Sequence, residues 1–191
     1  MTIELERLAA EASACTLCAA HLPLGPRPVF SVSSTARLLI IGQAPGTKVH
    51  ETGIPWNDAS GDRLRGWMGI DRAAFYDTTR IAILPIGFCY PGRLPNGGDR
   101  PPRPECAPTW HARFLTLMPQ IDMTLLIGSY AQKRYLGAGR MTEHVRGLTA
   151  HPRIMALPHP SWRTISWEAR NPWFGEEILP RLRAVVASRL S

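Results

Sequence analysis

Read for hydrophobic and polar positions, the chain divides into short apolar runs and helical stripes separated by proline- and glycine-rich turns. Ile3, Leu5, Leu8, Ala9 and Ala12 fall at helical spacing and predict a helix over residues 3–13, leading into Cys15. Arg37–Gly42 contains Leu38-Leu39-Ile40-Ile41 and ends in glycine, the pattern of a buried strand feeding a turn. Ser60–Gly69 and Asp71–Tyr76 read as short helices, the second opened by an aspartate cap. Thr79–Leu84 is the next strand. The tract 85–108 is so crowded with proline and glycine that no regular structure is expected in it. Thr109–Met118 reads as a helix and Met123–Gly128 as a third strand, followed by a helix capped by Ser129. A strand over Arg153–Leu157 and a closing helix over Glu176–Leu190, with Pro180 near its first turn, complete the series.

Strands alternating with helices predict an α/β fold: a three-layer α/β/α sandwich around a short, mainly parallel sheet, in one domain spanning residues 1–191. Ligands of such folds bind beyond the carboxyl ends of the strands. Three of the four strands run there into unusual loops: Gly42-Gln43-Ala44-Pro45-Gly46, Pro85–Tyr90 and Pro158-His159-Pro160-Ser161. The site is expected on that edge.

Composition narrows the class. Apolar residues at 45% and charged residues at 19% suit a packed core rather than a disordered chain. No apolar run approaches membrane-spanning length, and Glu4, Glu6, Arg7 and Glu11 stand where a signal peptide needs an apolar block. A cytoplasmic protein with no membrane partner is expected. The formal charge is +7, and nearly all the positive charge is arginine, with lysine only at Lys48 and Lys133. The guanidinium fork suits phosphate, which makes a nucleic acid a natural partner. Arginine-rich codon usage leaves the same imprint, so charge alone does not decide.

The cysteines add chemistry. Cys15 and Cys18 form a C-x-x-C pair behind the first helix, and Cys89 and Cys106 sit in the proline/glycine tract. A reducing compartment disfavours disulfides, and a redox C-x-x-C belongs at a strand-to-helix junction rather than behind a helix. Four thiolates are expected to converge on a zinc ion or an iron–sulfur cluster.

Gly42-Gln43-Ala44-Pro45-Gly46, then Gly53-Ile54-Pro55-Trp56, then Ala59-Ser60-Gly61, resemble the first motif of the uracil-DNA glycosylase superfamily. The cysteine order, the tract from Cys89 through Gly98-Asp99-Arg100-Pro101 to Cys106, and His159-Pro160-Ser161 followed by Arg170-Asn171-Pro172 are similar to its iron–sulfur branch, family 4. The resemblance implies a DNA glycosylase that flips a deaminated base, uracil by default, and hydrolyses its glycosidic bond. It implies a 4Fe-4S cluster on Cys15, Cys18, Cys89 and Cys106, with zinc as the alternative.

It also assigns roles. His159 would donate a hydrogen bond to the base as charge develops there. Gln43 would act with His159 in catalysis, its backbone N–H on the base oxygen, while Trp56 takes the place of the family's stacking phenylalanine and Gly42, Ala44 and Ser161 line the base pocket. Trp162 and Arg163 would enter the duplex, while Arg170 and Asn171 hold phosphates, joined by Arg93, Arg100 and Arg103.

Three stretches bear on how far the family pattern holds. Gln43 stands for the usual glutamate, and Ala44 supplies no carboxylate. Pro85 stands where the family reads the base with asparagine, which leaves Asn57 as the substitute reader. Val49-His50 replaces an acidic pair. Asp58, beside Trp56, is the carboxylate expected to place water, a helix cap being its other reading. The rival function is a non-catalytic, metal-bearing nucleic-acid-binding module; a cluster-based redox protein has only the cysteines in its favour. The expected partner is DNA holding a deaminated base, bound by a monomer.

Overall fold

The computed structural model describes residues 2–147 and 152–191. Four strands, β1 (Leu38–Ile41), β2 (Ile81–Ile83), β3 (Met123–Ile127) and β4 (Ile154–Leu157), form one sheet in the order β2-β1-β3-β4. All three pairings are parallel, with Leu38 opposite both Ile81 and Met123, and Thr124 opposite Ile154. The strands read as continuous apolar runs because both faces of the sheet are covered.

Alternate side chains go to opposite layers. Leu39, Ile41, Ala82 and Leu126 pack on Leu5 and Leu8 of α1 (Ile3–Ser13) and on Trp110 and Phe114 of α5 (Cys106–Thr116). Leu38, Ile40, Ile83 and Leu125 face the other way. They meet Leu64 and Trp67 of α3 (Ala59–Met68), Val145 of α7 (Met141–Arg146) and Leu182 and Val186 of α9 (Leu179–Leu190). Each such buried aliphatic side chain contributes roughly 1.5–3 kcal/mol. The result is a three-layer α/β/α sandwich. The remaining helices are α2 (Thr47–Thr52), α4 (Arg72–Phe75), α6 (Ser129–Leu136) and α8 (Ile165–Arg170). No helix among the described residues is long and apolar enough to cross a membrane.

Local chemistry sets the ends. Asp58 Oδ1 accepts the Gly61 N–H at 2.8 Å to cap α3, and Asp71 caps α4 through the Ala74 N–H. Several boundaries differ from the sequence pattern. The helix expected from Thr109 begins at Cys106, with Pro108 in its first turn, where a missing N–H costs nothing. Ser129 is not a cap: it is the first helical residue of α6, and Gly128 precedes it at φ 83°. Pro180 lies at the start of α9, behind a π-helical turn over Phe174–Ile178. Helices α2, α7 and α8 have no counterpart in the pattern. Each has six residues, too few for a periodicity to show. The tract 85–108 contains a small hairpin in which Arg93 and Asp99 pair antiparallel.

Candidate active site

A cavity of about 450 Å³ opens beyond the carboxyl ends of the strands. The turn after β1 supplies Gly42–Gly46, the residues after β2 supply Pro85, and the loop after β4 supplies His159 and Ser161.

Trp56 forms one wall. Its ring centroid lies 5.7 Å from that of His159, the planes inclined by 32°. The indole rests against Gly42, where a Cβ would come within 2.8 Å of Cζ2. Trp56 adopts φ 56°, a left-handed conformation that strains a bulky residue and persists only when its surroundings impose it. Two contacts impose it. The Trp56 carbonyl accepts Arg65 Nη1 at 3.3 Å, and a Cβ on Gly61 would stand 1.7 Å from that same carbonyl oxygen. Arg65 is itself buried, paired with Asp62 at 2.5 Å and laid over the Phe75 ring at 5.1 Å.

His159 is held through its backbone. Its carbonyl accepts the Ser161 N–H at 2.8 Å and the Thr164 hydroxyl, and Arg63 ties the loop down through the Ser161 carbonyl and Glu168. Burial lowers the His159 pKa, with the Asp58 charge opposing, so the ring is neutral at pH 7. A neutral imidazole has one N–H to donate.

Gln43 lines the cavity, but its amide donates to the Arg100 carbonyl at 3.2 Å and so ties the 92–100 hairpin to the β1 turn. Pro85 lines the cavity while its carbonyl accepts from His111 Nε2 at 3.0 Å. That carbonyl can only accept, so His111 carries its proton on Nε2 and Tyr135 donates its hydroxyl to Nδ1 at 2.6 Å. Burial pushes the His111 pKa down to about 4.

Gly42, Gln43, Ala44, Trp56, Asp58, His159, Ser161, Trp162 and Arg163 therefore meet around one cavity. Trp162 stands at the rim with 75% of its surface exposed, and Arg163 lies 5.5 Å over its ring. Three expected residues are not brought there. Asn57 follows the left-handed Trp56 and turns outward, where its Oδ1 accepts from Arg72 at 2.9 Å. Asn171 closes a local turn with Trp167 and Trp173, and Arg170 is exposed, bonded to the Ser166 carbonyl. Of the arginines expected on phosphate, Arg93 lines the cavity, whereas Arg103 pairs with Glu105 at 2.6 Å. The structure adds Tyr130 to the lining, and Asp99, which lies in the Gly98–Pro101 segment of the resemblance but had no role assigned there.

The four cysteines line a second, small pocket together with Leu22, Phe88 and Trp110. Cys106 is the first residue of α5 rather than a loop residue, and its sulfur accepts the Phe88 N–H at 3.3 Å. All four cysteines are free thiols, and burial raises Cys89 to about 11 and Cys106 to about 12. Among the described residues, no three cysteine, histidine or carboxylate side chains stand at metal-ligating separation. The Trp110 indole N–H in this lining is buried without a hydrogen-bond partner. Four sulfurs, an apolar wall and an orphaned donor suit a group with sulfur acceptors of its own.

A family model described as the uracil DNA glycosylase superfamily matches residues 30–183, a span that holds every cavity residue named above and leaves Cys15 and Cys18 outside.

Proposed function

Because the chain belongs to the uracil DNA glycosylase superfamily, we propose that it hydrolyses the N-glycosidic bond of a deaminated base flipped out of DNA, with uracil the first substrate to test. The observation that carries this reading is the pairing of Trp56 and His159 in one wall of the strand-end cavity. An extruded base needs an aromatic face to stack on and a donor aimed at the oxygen that gains charge as the bond breaks. Trp56 serves as the face, and neutral His159 as the donor. Ser161 and the Gly42–Ala44 backbone enclose the base, while Trp162 and Arg163 at the rim meet the duplex.

Uracil is the default because of the superfamily, yet Pro85 offers no amide to a Watson–Crick edge. Hypoxanthine and xanthine are therefore the next substrates in line.

Within the same proposal, Cys15, Cys18, Cys89 and Cys106 hold a 4Fe-4S cluster, with zinc the alternative. Bound there, it would act as a structural cross-link between the N-terminal segment and the Phe88–Cys106 region. The buried Trp110 N–H favours the cluster, since inorganic sulfides accept hydrogen bonds and a zinc ion does not, while the Phe88 N–H to Cys106 serves a thiolate on either.

The test is incubation of anaerobically purified protein with single- and double-stranded oligonucleotides carrying one uracil, hypoxanthine or xanthine. An abasic site in any of them is expected. His159→Ala should lower kcat about 10²–10³-fold at unchanged DNA affinity. DNA binding without product from every oligonucleotide would replace this reading with the non-catalytic binding module.

A further inference from the structure

The turn after β1 carries no carboxylate, since Gln43 is engaged with Arg100 and Ala44 has no functional group. Hydrolysis still needs an acceptor for the proton of the attacking water. Two carboxylates line the cavity, Asp58 and Asp99, and they differ in how they are engaged. Asp58 is the cap of α3, with Oδ1 on the Gly61 N–H. The Asp99 carboxylate enters no hydrogen bond or ion pair among the described residues.

Both lie over the same turn: a Cβ on Gly46 would stand 3.5 Å from Asp99 Oδ2 and 4.0 Å from Asp58 Oδ2. Asp99 is delivered there by a braced hairpin. The Leu94 N–H meets the Gly98 carbonyl at 2.9 Å, and the Arg100 N–H meets the Gly92 carbonyl at 2.8 Å. Gly98, at φ 91°, lets the Arg163 guanidinium close on the hairpin, to within 2.8 Å of where a Cβ would be. Gln43 holds the other end through the Arg100 carbonyl. Bonded to the β1 turn and abutted by Arg163 of the His159 loop, the hairpin carries Asp99 into the cavity lining.

The charges facing Asp99 are Arg93 from its own hairpin, Arg163 from the β4 loop and Asp58 from the start of α3. Burial, reinforced by Asp58, raises its pKa above the usual carboxylate value, against the two arginines. A carboxylate with a raised pKa is a stronger base.

We propose that Asp99 is the general base of the reaction, an inference that rests on the glycosylase reading. Asp99 takes one proton from water as the water oxygen bonds to C1′ of the flipped nucleotide. The C1′–N bond breaks, its electron pair stays with the base, and His159 hydrogen-bonds the oxygen on which that charge settles. The proton then leaves Asp99 for the departing base or solvent, so water and nucleotide yield an abasic sugar and a free base.

The experiment uses the full chain and whichever base the parent removes fastest. Asp99→Asn should lower kcat by about 10²-fold or more, with duplex affinity within roughly threefold of the parent. Added formate should restore part of the rate of Asp99→Ala, which a merely structural role would not allow. Asp99→Asn turning over within about threefold of the parent would overturn the assignment. So would a deeper loss in Asp58→Asn than in Asp99→Asn. A parent that releases no base at all would instead overturn the glycosylase reading, and this inference with it.

Discussion

The cavity at the strand ends and the pocket around the cysteines border the same stretch, Pro85 to Arg103, and are built on opposite terms. In the cavity, shape comes from backbone held at close quarters: Gly42 and Gly61 against Trp56, Asp58 capping α3, and Arg65 on the Trp56 carbonyl. Those contacts involve residues less than twenty positions apart. In the cysteine pocket the walls are apolar, and closure joins Cys15 and Cys18 to residues more than seventy positions away. Local clamps make a precise cavity that a single methyl group can spoil. Long-range closure around four thiols leaves the two segments dependent on packing, which the proposed cluster would turn into a cross-link.

The largest expected effect breaks the second region alone. Cys89→Ser should abolish bound iron, read as the metal-to-protein ratio, and lower the thermal midpoint by about 10 °C, which is a loss of several kcal/mol for a chain of this size. Unchanged metal content would remove the cysteines from metal binding.

Gly61→Ala attacks the first region. Its Cβ would land 1.7 Å from the Trp56 carbonyl, so about 3 kcal/mol of stability and the Trp56 wall should go together. Gly66→Ala, on the same helix but facing open space, should stabilise by roughly 0.5–1 kcal/mol. Equal melting shifts in the two variants would disprove the clamp.

A third measurement probes the boundary between the regions. His111 stacks on Phe88 of the cysteine pocket and bonds the carbonyl of Pro85 in the cavity. Its pKa falls from 6.5 to about 4 on folding, so between those values the unfolded chain binds a proton that the folded chain does not. Stability should therefore fall as pH drops through that window, by up to roughly 3 kcal/mol. Denaturant midpoints between pH 7 and 4.5 report it, and His111→Gln should flatten the dependence. The smallest effect is at the rim: Trp162→Ala should weaken duplex binding by about 1 kcal/mol, roughly fivefold, without changing iron content.

Much of this organisation is legible along the chain. Each strand announces itself as an apolar run because both its faces are buried, and three of them point to the cavity through the loops that follow. The Gly42–Gly46, Trp56 and His159 motifs mark the cavity as well. Asn57 stands outside the cavity lining, its side chain bonded to Arg72 next to the left-handed Trp56, a backbone conformation that no pattern of residue types encodes. Asn171 looks like a phosphate ligand in sequence, yet its side chain closes a local turn, while Arg170 sits exposed on α8, away from the cavity lining.

What the sequence determined by itself is the layered α/β order, the edge that carries the site, and the Gly42–Gly46, Trp56 and His159 motifs that mark it. Periodicity and turn chemistry act over a few neighbouring residues, and the linear pattern preserves them. The tertiary structure alone decided that Asp99 stands over Gly46 beside Asp58, that His111 and Tyr135 turn the Pro85 carbonyl away, and that all four cysteines share one pocket. These depend on where a hairpin, a helix and a distant segment come to rest against one another, which is settled by packing across the whole core rather than by any local run of residues.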